Sequence, residues 1–258
     1  MNILGITSPI SWNSSACIIT DGKLKVFIEE ERLNEIKHSV NFFPKKSIVK
    51  CLEKVKLELK DIDYIAVGWD KTINYIFPAV FSILKEGRLD DLKSEIYSSL
   101  ENEVNIIKLQ NWLSRNFDIT KKEIKKKFQF YPHHICHVAS SVRFSDFKES
   151  LFLSFDGRGE YNSGCIGYFK ENKIHVTETI RISQSLGALY SEITSICGFI
   201  PHSHEGKLMG LAAYGNINLD LFKGIASLKN DGYKLHPKWR LKIRNRFNKR
   251  KFKSEITQ

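Results

Sequence analysis

The sequence has little of what marks a secreted or membrane-bound protein. Its five cysteines, at 17, 51, 136, 165 and 197, are odd in number, scattered and nowhere spaced as CxxC. That argues against a disulfide framework and fits reduced thiols buried as small hydrophobes. No stretch approaches the roughly 18 apolar residues of a membrane span. The opening Met1-Asn2-Ile3-Leu4-Gly5-Ile6 has neither the basic region nor the length of a signal peptide. A cytoplasmic protein without a membrane partner is expected.

The 258 residues, 42% hydrophobic and 12% aromatic, suffice for one large core or two smaller lobes. The net charge of +11 would point to nucleic acid if it covered one face. It does not: His236 to Gln258 holds nine Lys or Arg against one Glu, leaving only +3 for everything before. With Trp239 and Phe247 among its cations, this tail suits an arm for nucleic acid or an acidic partner, or else a solvated, poorly packed terminus. Disorder concentrates at termini, which favours the second reading, so a nucleic-acid partner is not expected. Lys121 to Lys127 (KKEIKKK) similarly reads as a solvated edge.

Ile3 to Ile6 is a short apolar strand, followed by a polar loop, Thr7 to Ser14. A hairpin comes next, Ala16 to Thr20 and Lys23 to Glu29, turning at Asp21-Gly22. Helical periodicity runs from Phe42 to Leu59, a buried strand spans Asp63 to Trp69, and a helical insertion fills about 75–117. The insertion's expected apolar stripe is Phe77, Phe81, Leu84, Ile96, Leu100, Val104, Leu109 and Trp112. Phe128 to Tyr131 then reads as a strand leading into a helix.

After that helix the opening pattern returns. Leu4-Gly5-Ile6-Thr7 aligns with Leu153-Ser154-Phe155-Asp156, Ser15-Ala16-Cys17-Ile18 with Ser163-Gly164-Cys165-Ile166, and Lys23-Leu24-Lys25-Val26 with Lys173-Ile174-His175-Val176 after a two-residue slip. Two copies of strand, loop and hairpin imply an α/β fold of duplicated actin-like (ribonuclease H-like) lobes. The expected division is a first lobe at 1–145, a partial second lobe at 146–235 and the basic tail at 236–258.

Three residue groups carry candidate chemistry. In Tyr131-Pro132-His133-His134-Ile135-Cys136-His137, the imidazoles of His133 and His137 are i and i+4 on a helix and share one face. Asp156, ending an apolar strand, could complete a two-His, one-carboxylate metal site with open positions. Gly157 and Gly159 follow it in a loop where backbone N–H groups could approach an anion, although such a sequence also makes an ordinary turn. Lys207, after Gly206 at a helix start, could meet a phosphate or stand as an exposed lysine of an amphipathic helix.

The ordered set Asn13-Ser14-Ser15-Ala16, Asp21-Gly22, Glu29-Glu30-Glu31-Arg32, Lys37-His38, Phe43-Pro44, Gly68-Trp69-Asp70, HHxxH at 133–137, DGxGE at 156–160 and GKLMGLAAYG at 206–215 is specific. It resembles the N-terminal part of the O-carbamoyltransferases of antibiotic and nodulation-factor modification. The resemblance implies a duplicated domain similar to the tRNA threonylcarbamoyl transferases, joined to a C-terminal domain that makes carbamoyl adenylate from carbamoyl phosphate and ATP. The duplicated domain would bind that adenylate at a divalent metal, usually iron in the family, and pass the carbamoyl group to an acceptor hydroxyl.

By resemblance, His133, His137 and Asp156 are metal ligands, and Lys37, Asp156, Gly157, Gly159 and Lys207 lie near the nucleotide or carbamoyl group. Lys37 and His133 are the catalytic candidates. Two departures stand out. Trp12-Asn13 replaces the family's His-Asp on the acceptor side, and the family's chains are more than twice as long. The chain is therefore expected to act with a missing C-terminal half or a partner subunit. An alternative is an actin-like nucleotide- or metal-binding interaction protein without catalysis. A metallohydrolase is a weaker third reading, since Ile135 and Cys136 stand where an HExxH general base would be.

Overall fold

The computed structural model describes residues 1–7, 13–216, 219–229 and 232–246. Trp12, most of the Thr7 to Ser14 loop, and Phe247 with the rest of the tail lie outside the described residues. Contacts divide the chain into two units, 1–83 with 89–136, and 84–88 with 137–258.

The first unit opens with strands β1 (Asn2–Ile6), β2 (Ser15–Thr20) and β3 (Lys23–Glu29), followed by the short helix α1 (Glu31–Asn34) and helix α2 (Lys45–Val55). Strand β4 (Tyr64–Val67), helices α3 (Thr72–Lys85), α4 (Leu89–Asn116) and α5 (Lys121–Lys127), and strand β5 (Phe128–Phe130) complete it, and helix α6 (His133–Phe144) leads out. The sheet order is β3-β2-β1-β4-β5. The first three strands pair antiparallel, while β4 is parallel to both β1 and β5. This is the order of an actin-like, ribonuclease H-like lobe. The β2–β3 turn works because Asp21 and Gly22 both adopt positive φ, 50° and 74°, which matches the twist of the flanking strands.

Leu4, Ile6, Ile18, Ile65 and Val67 from the sheet pack with Ile48, Cys51 and Leu52 of α2 and with Leu109 and Leu113 of α4. Burial of the Cys51 thiol pushes its pKa up to about 12. The helical insertion is present, but α3 turns the other way from expectation. Tyr75, Ala79 and Ile83 are buried, whereas Phe77 and Phe81 are 70% and 67% exposed. α3 carries two apolar stripes at helical spacing, so periodicity alone does not select the inner one. On α4, Leu109 is buried as expected, while Leu100 and Val104 face out.

In the second unit, β6 (Ser150–Phe155), β7 (Asn162–Lys170) and β8 (Lys173–Arg181) form an antiparallel meander. Its register repeats that of the first unit. β1 and β2 set Leu4 against Ile18, Gly5 against Cys17 and Ile6 against Ala16; β6 and β7 set Leu153 against Ile166, Ser154 against Cys165 and Phe155 against Gly164. The register shifts after Ile18 in one unit and after Ile166 in the other. Only the third strands depart from the sequence match. Val26 lies opposite Ile18 and Glu178 opposite Ile166, so Val26 corresponds to Glu178 and not to Val176.

Helices α7 (Leu186–Ile196), α8 (Glu205–Ala212) and α9 (Trp239–Arg246) follow, with a two-stranded sheet of β9 (Ala226–Lys229) and β10 (Gly232–Leu235) between α8 and α9. The start of the basic tail is not a loose terminus. Trp239 and Ile243 are buried with Leu189, Ile225 and Leu235. The indole of Trp239 donates to the Ser183 carbonyl at 3.2 Å, and Arg244 meets Glu192 through two bonds of 2.6 and 3.1 Å. Alternating apolar and basic residues here make an amphipathic helix whose cations serve local acceptors. No helix among the described residues is long and apolar enough to cross a membrane.

One carboxylate anchors α2. Glu30, 3% exposed, accepts from the backbone N–H of Lys46 at 3.1 Å and from the N–H and hydroxyl of Ser47 at 2.7 and 2.5 Å, satisfying first-turn donors and meeting the positive end of the helix. Replacing it strands buried donors. Glu30→Ala is expected to lower the unfolding free energy of the full chain by about 3 kcal/mol in urea, and Glu30→Gln, which keeps an acceptor, by less.

Candidate metal centre

Helix α6 starts after Pro132, whose carbonyl accepts the Cys136 N–H at 3.1 Å. His134, Val138 and Val142 recur every four residues and form its buried stripe. His133 and His137 are therefore carried on the flank, His133 half-buried and His137 exposed. The His133 ring lies 5.3 Å from the indole of Trp69 and packs edge-on against His134. Cys136 packs toward Gly68, where an added Cβ would meet its sulfur at 3.7 Å. His134 and Cys136 thus pack, as their positions off the ligand face imply.

Asp156 leaves the end of β6. Its N–H donates to the Ser163 carbonyl at 2.8 Å, the counterpart of Thr7 donating to Ser15 at 3.3 Å in the first unit. One carboxylate oxygen, Oδ1, accepts from the Gly157 N–H at 2.5 Å, and the other, Oδ2, lies 3.4 Å from His137 Nε2. His133 is carried one turn earlier on the same helix. Two imidazoles on one helix face and a carboxylate beside one of them are a donor set that suits a divalent metal.

The loop after Asp156 is closed upon itself. The Gly157 N–H is taken by the Asp156 carboxylate and the Gly159 N–H by the Asn162 carbonyl at 2.7 Å, so neither amide is open to an anion, contrary to expectation. Lys37 lies in the first unit, exposed in a turn beside His38, whose ring Nδ1 lies 2.9 Å from Asn13 Oδ1 and whose backbone N–H donates to Glu31 Oε2 at 2.5 Å. Lys207 is exposed in the first turn of α8, with Nζ 3.0 Å from His204 Nε2.

Two supports had only weak signals in the sequence. Ser185 caps α7 by accepting from the Ala188 N–H at 3.0 Å, and its hydroxyl is also 2.8 Å from the Gly157 carbonyl and 3.2 Å from that of Asp156. A serine before a helical pattern is a cap signal, but its reach to Asp156 needs the fold. Glu205 accepts from the Ser191 hydroxyl at 2.7 Å and the His202 N–H at 2.6 Å. Burial works against its charge, yet the Ser191 hydroxyl and the backbone N–H groups of Glu205 and His202 hold its carboxyl below the usual range. This fixes the start of α8 and so the base of Lys207.

Gly187 tests the clamp under Asp156. A Cβ there would come within 2.7 Å of the Gly157 nitrogen and 2.8 Å of the Asp156 backbone carbon and oxygen, none of which can swing away. Gly187→Ala is expected to cost about 2 kcal/mol in thermal unfolding although alanine favours helices. Gly206→Ala, where the Cβ meets nothing within 4 Å, is expected to leave stability equal or up to about 1 kcal/mol higher.

The family described as Carbamoyltransferase N-terminus matches residues 2–255. Nodulation protein NolNO of Sinorhizobium fredii is 33% identical over 91% of this chain and 33% of its own length. An uncharacterized protein of Synechocystis sp., sll1178, is 32% identical over 90% of this chain and 38% of its own. The uncharacterized protein MJ1051 of Methanocaldococcus jannaschii is 30% identical over 88% and 37%. The chain thus spans between 33% and 38% of the length of these curated relatives. YeaZ from Pseudomonas aeruginosa superposes with a TM-score of 0.37 at 8% identity, covering 70% of this chain and 67% of that one, a likeness too slight to carry a functional conclusion. On the extent of the family match and the NolNO identity, the chain belongs to the carbamoyltransferase family, matching its N-terminal region.

Proposed function

We propose that this chain is the metal-holding, carbamoyl-transferring part of an O-carbamoyltransferase. It would take the carbamoyl group from carbamoyl phosphate, by way of carbamoyl adenylate, to an acceptor hydroxyl in an ATP- and metal-dependent reaction. The observation carrying this reading is the contact of His137 with Asp156, with His133 one turn before His137 on the same helix, in a chain of this family. The region of the relatives beyond the match is where the resemblance puts adenylate formation, so a longer protein or a second subunit is the proposed partner.

The chain's own residues divide the work. The Gly157 N–H turns Asp156 so that its second oxygen faces His137, and Trp69 limits the His133 ring. A divalent metal held by the three, iron in the resembling family, would act as a Lewis acid on the carbamoyl carbonyl. Lys37 and Lys207 are the proposed phosphate contacts. Lys207 gives one N–H to His204, which leaves two donors for phosphate oxygens.

A second reading, a nucleotide- or metal-binding interaction protein without catalysis, is favoured by one observation: the Gly157 and Gly159 amides are already bonded within their loop. Metal analysis and calorimetry separate these readings. The purified chain is expected to carry close to one divalent metal, with His133→Ala and Asp156→Ala each weakening retention by about 10–100-fold. Full stoichiometry in both variants would remove the proposed centre. A non-hydrolysable carbamoyl adenylate analogue is expected to bind with metal present and to weaken in Lys37→Ala. Metal retention without analogue binding would leave the interaction protein.

A further inference from the structure

Away from the histidine helix, the first unit holds a cavity of about 530 Å³ whose walls are cationic and aromatic. Its cations are Lys45, at the start of α2, and Lys108 and Arg115 on α4; Phe43 and Trp112 are its rings, and Asn111 adds an amide. The α4 contributors fall at 108, 111, 112 and 115, a spacing of three and four that puts them on one face. Leu109 and Leu113, one place beyond 108 and 112, are fully buried and fix that face against the core.

Charge at the cavity is uncompensated. No acidic residue lines it among the described residues. Among the described residues, the charged groups of Lys45, Lys108 and Arg115 form no ion pair or hydrogen bond. Lys45 Nζ instead stands 5.7 Å from the centre of the Phe43 ring and 5.6 Å from that of Trp112. Cation–π attraction positions this ammonium without neutralising it, so its charge remains for a ligand. Lys108 and Arg115 are two turns apart, about 10 Å along the axis, with Trp112 between them. Three like charges around one concavity repel, and an anion placed there relieves that repulsion.

We propose that this cavity binds a phosphate ester of a small organic molecule, a nucleotide or a sugar phosphate. The phosphate would lie among Lys45, Lys108 and Arg115, whose guanidinium offers paired donors matched to phosphate oxygens. The volume falls in the range of about 300–1,000 Å³ typical of small-molecule sites and exceeds the needs of a bare phosphate. Trp112 supplies an apolar wall for a base or sugar ring, and the Asn111 amide offers both a donor and an acceptor for a hydroxyl or base edge. The site consists of first-unit residues other than those assigned to the metal and does not rest on the carbamoyl-transfer reading.

Calorimetric titration of the full chain with AMP, glucose 6-phosphate and inorganic phosphate tests this, using the wild type, the double variant Lys108→Ala/Arg115→Ala, and His133→Ala. Lys108 and Arg115 are exposed, so their removal should leave the fold intact, which circular dichroism checks. One of the two esters is expected to bind with a submillimolar Kd. The double variant should bind it at least about tenfold more weakly. His133→Ala should bind it unchanged, which separates the cavity from the metal centre, and inorganic phosphate should bind more weakly than the preferred ester. The proposal is overturned if neither ester binds up to about 10 mM, if the double variant binds as well as wild type, if His133→Ala abolishes binding, or if inorganic phosphate binds as tightly as the esters.

Discussion

The hydrogen bond from the Asp156 N–H to the Ser163 carbonyl, 2.8 Å long, is the constraint on which the candidate centre depends. It extends the β6–β7 ladder beyond Phe155 and so sets the point at which the chain leaves the sheet. The aspartate carboxylate then has one oxygen held by its own loop and one directed at His137. Ser185 and Gly187 press the same peptide from below, one by hydrogen bonds and one by having no side chain. A short polar turn thereby gains the rigidity of three elements, β6, β7 and α7. A candidate ligand set needs such support, because a carboxylate displaced by an ångström loses its place on the ion.

That constraint is a repeated one, which is why so much of it was legible in the sequence. Strand pairing has a period of two, so a slip of one residue would turn every buried side chain outward. The Leu-x-apolar and Ser-x-Cys-Ile patterns recur in the same register, although Leu4 and Ile6 are buried while their counterparts Leu153 and Phe155 are exposed. The third strand departs from its sequence match by two residues because the β7–β8 hairpin continues for two more pairs, Phe169 with Ile174 and Lys170 with Lys173, than β2–β3, which ends at Thr20 with Lys23. A different limit explains α3: with apolar residues on two sides, nothing local said whether Tyr75 or Phe77 would be inside.

The site was legible to the extent that it depends on helix geometry. An i, i+4 histidine pair needs only a helix, and a carboxylate at a strand end needs only the repeat. Loop chemistry was harder. A DGxG sequence permits a close anion approach, but it equally permits the turn to satisfy its own amides, as here, and composition does not distinguish the two. The supports from Ser185 and Glu205 join positions 14 to 29 residues apart in sequence, and no spacing rule covers them.

Charge shows the same dependence on partners. The tail concentrates cations in sequence, yet Arg244 is spent on Glu192 and Arg246 and Lys242 donate to the carbonyls of Lys223 and Gly224. Lys45, Lys108 and Arg115 are spread over 71 positions and form no cluster in the sequence, yet they meet at one cavity with no acid among its described walls. An ion's availability to a ligand depends on what already satisfies it, more than on how many like charges precede it in the chain. By that criterion the basic helix α9 is structural, whereas the cations at the junction of α2 and α4 in the first unit remain available to an anion.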